Sequence, residues 1–366
     1  MSKAFDFAKS IEGSGSFDGL VIPSSNAAAA GVAGEIRNNN GEIQRWSASD
    51  FVPQWRNIDE EAQPNPFVQY LVIAGGGGGA SGRFSGAGGA GGYRTNFGTG
   101  NISGGLSPVE AAKTLTLNTA LNITVGAGGA GGTGTQNPGS KGGDSTFDNI
   151  TSEGGGFGTA DISSNTTAGG DGGSGGASGD GTGSGLGGPG GSGTAGQGFD
   201  GGRGCHVGSD WAGGGGGGGA GSAGTDCVVA TRVAGNGGDG LASSITGTSV
   251  TRAGGGGGGS TNTGGAAGSG GGGQGNTGGA GGAGTANTGG GGGGADGGGD
   301  AGGAGGSGVV ILRTSAGLVA RFTAGVTVNG TAVTVDNTAV SGTTVGSDLV
   351  WTITAASSDT VTFATS

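Results

Sequence analysis

The chain has few of the residues that build an ordinary hydrophobic core. Only 31% of its 366 residues are hydrophobic and 5% are aromatic, against roughly 45–50% apolar residues in typical globular domains. Only 11% are charged, so the composition also differs from that of a highly charged disordered chain. A large side-chain core is therefore excluded over much of the sequence.

Basic residues are scarce as well. The chain has 14 Lys and Arg against 25 Asp and Glu, and a net charge of −11. This balance argues against binding to nucleic acid through its phosphates. Because the sequence also lacks a basic cluster, binding to an anionic membrane is equally disfavoured. No run of about eighteen apolar residues predicts membrane insertion, and no apolar run after Met1 indicates a signal peptide. We expect a protein that is made in a cytoplasm.

The chain has two cysteines and one histidine, so few of the side chains that commonly act in catalysis or bind metals are present. Cys205 and Cys227 flank a glycine run and could form a disulfide, but two free, partly buried thiols are the prediction, because nothing else marks the chain as oxidised. His206 adjoins Cys205, yet sequence neighbours are not a nucleophile and base in space, so we expect both on an exposed turn. We predict no enzymatic activity, no metal and no cofactor.

Glycine is what the chain has in excess: 107 residues, mostly between the strand-like segments 70–74 and 309–313. Contiguous runs at 213–219, 254–259, 270–273 and 289–294 exclude collagen, which needs glycine at every third position and abundant proline. A flexible linker or a calcium-binding β-roll fits less well. A bundle of polyproline-II-type helices made of glycine (polyglycine II) fits 154–308 best, because helices without Cβ atoms approach until their backbones bond to each other.

The flanking segments have more conventional patterns. Residues 1–66 form a predicted attachment or oligomerisation module, with a hairpin around Asn38–Gly41 and Trp46 and Trp55 as candidate interface anchors. Residues 67–313 form the glycine-rich scaffold, and Thr/Val alternation predicts a small all-β domain over 314–366. The predicted fold class is mainly β and irregular, with a polyglycine II bundle and almost no α-helix.

Arginines and aromatic residues concentrate between the glycine runs, where connecting loops would project from the scaffold. Such side chains dominate binding surfaces. An equally weighted alternative is that the aromatic residues fill small cores at the ends of the bundle. The candidate binding residues are Tyr93, Arg94, Arg203, His206, Trp211, Arg232 and Arg252.

Several segments resemble the glycine-rich domain found in bacteriophage tail fibres. They are 70–79, 91–94, 121–129, 142–147 and 306–313, in the order of that family. The glycine bundle is also similar to adhesin tips of tailed phages, in which loops between the runs touch the receptor. The resemblance implies a virion protein that attaches the phage to a glycan or outer-membrane protein of the host. It also implies a homotrimer that docks to other tail proteins through residues 1–66.

Three other functions remain open. The chain could be a structural fibre segment without receptor contact. An ice-binding protein would need a flat face of regularly spaced Thr or Ala, and the residues that interrupt the glycine runs look irregular. A polysaccharide depolymerase would be supported by a long parallel β-helix pattern, which the sequence lacks.

Overall fold

The chain divides into two compact units, Met1–Asn65 and Pro66–Ser366. The computed structural model describes the backbone of β1 (Ile36–Asn39), β2 (Glu42–Ser47) and β3 (Gln54–Asn57), and residues 66–98, 102–160, 167–180, 185–207 and 211–365. These first three strands form an antiparallel sheet, and the β1–β2 pairing confirms the predicted hairpin. Trp46 and Trp55 are directly opposite each other in β2 and β3. Their side chains lie outside the described residues, so the interface role stays a prediction.

The second unit contains short strands, and its described residues include no α-helix and no helix that could cross a membrane. Its strands are β4 (Phe67–Ile73), β5 (Tyr93–Thr95), β6 (Lys113–Thr114), β7 (Ala120–Thr124), β8 (Ser145–Phe147), β9 (Ile150–Ser152), β10 (Gly185–Leu186), β11 (Cys205–Val207), β12 (Trp211–Gly213), β13 (Leu241–Ser243), β14 (Val250–Arg252), β15 (Val309–Ser315), β16 (Leu318–Phe322), β17 (Thr327–Val328), β18 (Thr331–Ala332), β19 (Thr338–Val340), β20 (Thr343–Val345), β21 (Asp348–Ala355) and β22 (Asp359–Thr365). The mainly β and irregular fold class is confirmed.

Two antiparallel sheets pack face to face as a β-sandwich. One has the order β18-β17-β21-β15-β4-β5, with β20 beside β21 and β6 beside β4, and the other has the order β19-β16-β22-β7-β8-β9. The core between them contains Tyr70, Phe147, Phe322, Trp351 and Phe363. Their side chains are almost fully buried, so this part of the chain has the conventional core that the glycine block lacks.

Strand β4 is buried on both faces. Tyr70 and Val72 point into the sandwich, whereas Leu71 and Ile73 pack on the other side of the sheet against Tyr93. This explains why residues 70–74 read as a continuous apolar run rather than as an alternation.

The predicted boundary between residues 313 and 314 falls inside β15 (Val309–Ser315). Strand β21 pairs with β15, and β22 pairs with β7, so strands from both predicted segments share the two sheets. The reason is physical: the short strands of 314–366 bury their apolar faces only by completing sheets that β4, β7 and β15 begin.

The glycine runs form extended helices with three residues per turn, the period of polyproline II. In residues 74–82, the N–H groups of Gly75, Gly78 and Ser81 donate to carbonyls of 137–143. Those of Gly76, Gly79 and Gly82 donate to 300–306, and those of Gly77 and Ala80 donate to 86–89. Residues three positions apart thus bond to the same neighbouring helix, and the three sets of positions bond to three different helices. We call segments of this kind glycine helices.

Glycine helices pack in a hexagonal array. Besides its three acceptor neighbours, helix 74–82 accepts bonds from Gly129, Gly155 and Gly292, which lie in three further helices. Helix 85–92 likewise has neighbours on every side, at 77–80, 153–159, 174–177, 215–218, 256–259 and 289–295. Helices surrounded in this way are called inner helices, and they include 212–220, 253–260 and 289–296.

The inner helices leave no room for side chains at their glycine positions. A Cβ added at Gly75, Gly77 or Gly78 would lie 2.0 Å from a carbonyl oxygen of a neighbouring helix. The Cα–H bonds therefore point at those oxygens, as in weak Cα–H···O contacts. Backbone groups thus supply both the hydrogen bonds and the packing, as predicted from the uninterrupted runs.

The outermost helices, which we call rim helices, follow a different sequence pattern. Several of them contain triplets in which one residue points outward and two glycines face inward. The outward residues are exposed or partly exposed: Ala127, Ala130 and Thr133; Pro189 and Ser192; Asn236 and Asp239; Ala280, Ala283 and Ala286; Ala301, Ala304 and Ser307. The interruptions are therefore regular in these helices, in contrast to the expectation of irregularity, whereas rim helices such as 198–204 and 222–227 do not follow the triplet pattern throughout.

The bundle has two distinct ends. Helix 74–82 follows β4, helix 85–92 precedes β5, and 300–308 precedes β15, so one end joins the sandwich. At about 3.1 Å per residue, 74–82 carries the chain roughly 25 Å away from it. The opposite end, here the distal end, contains residues 82–84, 185–187, 205–207, 227–234 and 296–300.

Candidate functional site

The predicted binding residues do not form one site. Arg203, His206 and Arg232 belong to the distal end, together with the backbone of Trp211. Tyr93, Arg94 and Arg252 are at the sandwich end, in or beside β5 and β14. The two groups lie at opposite ends of glycine helices, so no single ligand contact can use all of them.

A small sheet organises the distal end. Strand β11 pairs with β10 on one side and with β12 on the other, and Gly213 at the end of β12 forms a bridge to Ser260. The backbone of Trp211 is opposite Val207. Its side chain lies outside the described residues, so its receptor role stays a prediction.

A disulfide joins Cys205 to Cys227, and the prediction of two free thiols is wrong. The Cα atoms are 5.8 Å apart, within the usual range for disulfides. The N–H of Cys227 donates to Arg203 at 2.9 Å, because residues 198–204 and 222–227 are adjacent rim helices. Sequence alone could not show that these helices are neighbours.

His206 pairs with an aspartate rather than with its cysteine neighbour. Its Nδ1 is 2.7 Å from Oδ2 of Asp180, whose side chain is 1% exposed against 26% for the histidine. The sulfur of Cys205 is bonded to Cys227, so no thiol is available to His206 in this structure. The expectation that Cys205 and His206 lie on an exposed turn is wrong, because both belong to β11 and Cys205 is fully buried.

Arg203 is held in place by its surroundings. Its N–H donates to Asp226 at 2.7 Å, and its Nη2 donates to the carbonyl of Gly187 at 3.1 Å. Arg232, by contrast, is exposed in a turn closed by Val228 and Val233 and has a φ of 57°. Of these two predicted contact residues, only Arg232 is freely presented.

Exposed apolar side chains surround the disulfide. Leu186 is 49% exposed, Val228 48% and Val229 43%. Leu186 is opposite Cys205 in the β10–β11 pair, and Val228 follows Cys227 directly. Contiguous exposed apolar groups rimmed by polar residues are typical of binding sites. The sequence signalled Arg232, whereas the valines and Leu186 were missed.

Tyr93 belongs to a buried core and cannot contact a receptor in this structure. It is 1% exposed and packs with Leu71, Ile73 and Ile311. Burial raises its pKa to about 12. Burial also lowers the pKa of the nearby Arg252 guanidinium. The alternative that aromatic residues fill cores at the bundle ends therefore holds for Tyr93.

Arg94 is engaged by a carboxylate that the sequence did not single out. Its Nε donates to Oε1 of Glu110 at 2.6 Å and its Nη2 to Oε2 at 2.8 Å. Its Nη1 donates to the carbonyl of Thr151 at 2.9 Å. The hydrogen bonds to Glu110 raise the pKa of Arg94. Such bidentate pairs are strong and geometrically fixed.

The described residues contain no group of three or more His, Cys, Asp or Glu side chains placed to hold a metal ion. The arrangement at the distal end offers exposed apolar groups, exposed arginines such as Arg232, and a His–Asp pair.

The fold defines a class of protein: a polyglycine II bundle carried on a β-sandwich. The glycine-rich domain family matches residues 60–315, more than half of the chain. The chain belongs to this glycine-rich domain family. No curated protein and no solved structure matches the chain significantly.

Proposed function

We propose that this protein is a bacteriophage tail fibre or adhesin that attaches the virion to the host cell surface through the distal end of its glycine bundle. The receptor is a surface glycan or an outer-membrane protein. Residues 1–66 dock to other tail proteins, and the fibre is a homotrimer. Its action is adhesion without enzymatic chemistry.

The observation that carries the proposal is the contrast between the distal surface and the bundle behind it. Leu186, Val228 and Val229 are exposed beside the Cys205–Cys227 disulfide, and Arg232 projects next to them. Apolar and arginine side chains together supply much of the binding energy in interfaces. Behind them, backbone-bonded helices give a support that does not depend on which residues the loops carry.

Binding of the full-length chain to cells of candidate bacterial hosts tests the proposal. The test variant is Val228→Ser, Val229→Ser, Arg232→Asn, because asparagine tolerates the left-handed conformation of position 232 better than alanine does. The control is Val335→Ser, an apolar residue in the sandwich segment that is 66% exposed, more than Val228 and Val229.

We expect the triple variant to lose at least about tenfold in affinity, or about 1.4 kcal/mol, and the control to bind as the wild type does. Equal binding by all three proteins would contradict a distal site. Absence of binding to every host tested would favour the alternative of a structural fibre segment whose receptor contact is made by another protein.

One observation favours a second candidate, ice binding. Rim helices 126–133, 300–308 and 280–286 bond to one another in a row and are backed by inner helices 74–82 and 289–296. We call this row the flat face. Its outward residues are small and uncharged at every third position: Ala127, Ala130, Thr133, Ala301, Ala304, Ser307, Ala280, Ala283 and Ala286.

Thermal hysteresis and inhibition of ice recrystallisation test this candidate. Ala304 is central to the flat face and exposed, so Ala304→Tyr would disturb a flat match to ice while leaving the inward glycines unchanged. Activity in the wild type that is lost in Ala304→Tyr would support ice binding. No activity at millimolar protein would exclude it.

A further inference from the structure

We infer that a cleft beside Arg94, at the sandwich end of the bundle, is a binding site for a neutral oligosaccharide. The cleft has a volume of about 480 Å³ and is lined by Arg94, Ser107, Glu110, Ala195 and Gln197, among others. Ligand sites in proteins typically measure roughly 300–1,000 Å³. The cleft is far from the distal surface, so this inference does not depend on the proposed function.

The wall of the cleft is polar but has no uncompensated charge. Glu110 binds Arg94 through both carboxylate oxygens, and its Oε2 also accepts the hydroxyl proton of Tyr70 at 2.8 Å. A charged ligand would gain little from a pair whose charges already cancel. The hydroxyl groups of a sugar can still accept hydrogen bonds from the remaining N–H groups of Arg94. A guanidinium has five N–H donors, and Arg94 commits three of them.

A second, smaller cleft is lined by the same ion pair, Arg94 and Glu110. It measures about 250 Å³ and is lined by Tyr70, Glu110, Lys113 and Asn149, among others. Lys113 is paired with Asp148 and Asn149, so its charge is compensated as well. Two polar, neutral clefts that share one wall suit a chain of linked sugar units better than a single compact molecule.

An exposed apolar residue lies next in sequence to the lining of the larger cleft. Leu106 precedes the lining residue Ser107, is 54% exposed, and has a φ of 54°. Non-glycine residues held in this left-handed conformation cost free energy and cluster at ligand-binding segments. A pyranose ring has an apolar C–H face and a polar edge. Leu106 offers a contact for the apolar face, and the Arg94–Glu110 pair offers hydrogen bonds for the polar edge.

The elements that form the cleft are tied to the fold by hydrogen bonds. Arg94 belongs to β5, the N–H of Glu110 donates to Thr95 at 2.9 Å, and Oε1 of Gln197 accepts from the N–H of Glu153 at 2.8 Å. Ligand binding therefore requires little ordering of the wall, which preserves affinity.

Titration of the full-length protein with maltopentaose, chitotriose, mannotriose and galactotriose tests the inference, with a sialylated trisaccharide as the charged comparison. Ala195→Trp fills the cleft from an exposed position, and Ala130→Trp places the same side chain on the flat face as the control. Thermal melting verifies that both variants fold, and Ser107→Trp replaces Ala195→Trp if the latter does not.

We expect at least one neutral sugar to bind with a Kd below about 10 mM, and Ala195→Trp to weaken it at least about tenfold while Ala130→Trp leaves it unchanged. The sialylated sugar should bind more weakly. Absence of binding by all four neutral sugars, or equal binding by Ala195→Trp, would overturn the assignment. A preference for the sialylated sugar would overturn the neutral class. None of these results bears on the distal variant described above.

Discussion

The glycine bundle and the β-sandwich of the same unit are stabilised in opposite ways. In the sandwich, large side chains such as Trp351 and Phe363 are fully buried, and their rings meet edge to face 5.7 Å apart. In the inner helices, the buried surface is backbone. N–H groups three positions apart bond to the same neighbouring helix, and the three sets bond to three different helices. The comparison teaches that a chain can bury most of a segment without a hydrophobic core when glycine lets backbones meet.

The largest effect is expected from adding a single methyl group to an inner helix. In Gly77→Ala, the new Cβ would lie 2.0 Å from the carbonyl oxygen of Gly156. Overpacking against side chains costs about 1–3 kcal/mol, and a backbone obstacle cannot rotate away, so we expect a larger loss or no folded protein. Chemical denaturation measures it.

The matched control for this change is Gly298→Ala. Gly298 is exposed, and an added Cβ would meet nothing within 4 Å. We expect its free energy of unfolding to stay within about 0.5 kcal/mol of the wild type. Equal tolerance of alanine at positions 77 and 298 would contradict backbone-to-backbone packing.

Removing side-chain atoms is the reverse change, and it should destabilise the sandwich more than the bundle. Trp351→Ala empties the sandwich core and removes the hydrogen bond from its Nε1 to the carbonyl of Val340. A loss of about 3–5 kcal/mol is expected. Ala177→Gly, at a fully buried position of the bundle, should cost only about 1 kcal/mol. Similar losses in both variants, measured by urea unfolding, would show that the bundle also depends on side-chain packing.

Reduction of the Cys205–Cys227 disulfide should destabilise the bundle by an intermediate amount. The bond closes a loop with a sequence separation of 22, for which chain entropy predicts about 3 kcal/mol. Thermal melting with and without dithiothreitol measures the effect. The double variant Cys205→Ser, Cys227→Ser should melt at the lower temperature in both buffers, and a wild type indifferent to reductant would disprove the stabilising role.

The smallest expected effect is a resistance of the two buried tyrosines to ionisation at alkaline pH. Burial raises the pKa of Tyr93 to about 12, and burial followed by the hydrogen bond with Glu110 raises that of Tyr70 further. Both folded pKa values lie above the unfolded value of 10.0, so the stabilising contribution is complete below pH 10 and is lost as the pH rises through the folded values. These are the only two tyrosines. Absorbance at 295 nm should therefore stay flat near pH 10–11, and a normal titration with midpoint near 10 would contradict their burial.

Much of the bundle was predictable because glycine pattern and packing position are directly related. Uninterrupted runs such as 213–219 and 254–259 form inner helices, since any Cβ there would strike a neighbouring backbone. The rim was predictable in principle from triplets such as Ala301-Gly302-Gly303-Ala304, whose period of three is the period of the helix. Run length therefore predicts the inner helices, whereas the spacing of the interruptions predicts the rim.

The candidate sites were less accessible to sequence reasoning. Arginine and aromatic residues between runs marked Arg232 correctly as exposed, but they also marked Tyr93, which is buried in a core. Sequence context does not predict this difference, because Tyr93 directly follows a glycine-rich stretch and Arg232 lies in a glycine-free segment between two such stretches. The two residues differ because one follows an inner helix into the sandwich and the other lies in a turn at the distal end.

The sequence by itself determined the kind of bonding in each region. Glycine without Cβ atoms leaves only the backbone to hold the bundle, and the apolar segments at 70–74, 309–313 and 351–363 supply a side-chain core. Only the tertiary structure decided the partners: which helix bonds to which, that β21 and β22 complete sheets begun by β15 and β7, and that Cys205 meets Cys227. The reason is that backbone N–H and C=O groups are identical at every glycine, so the pairing depends on the order in which turns return the chain to the array.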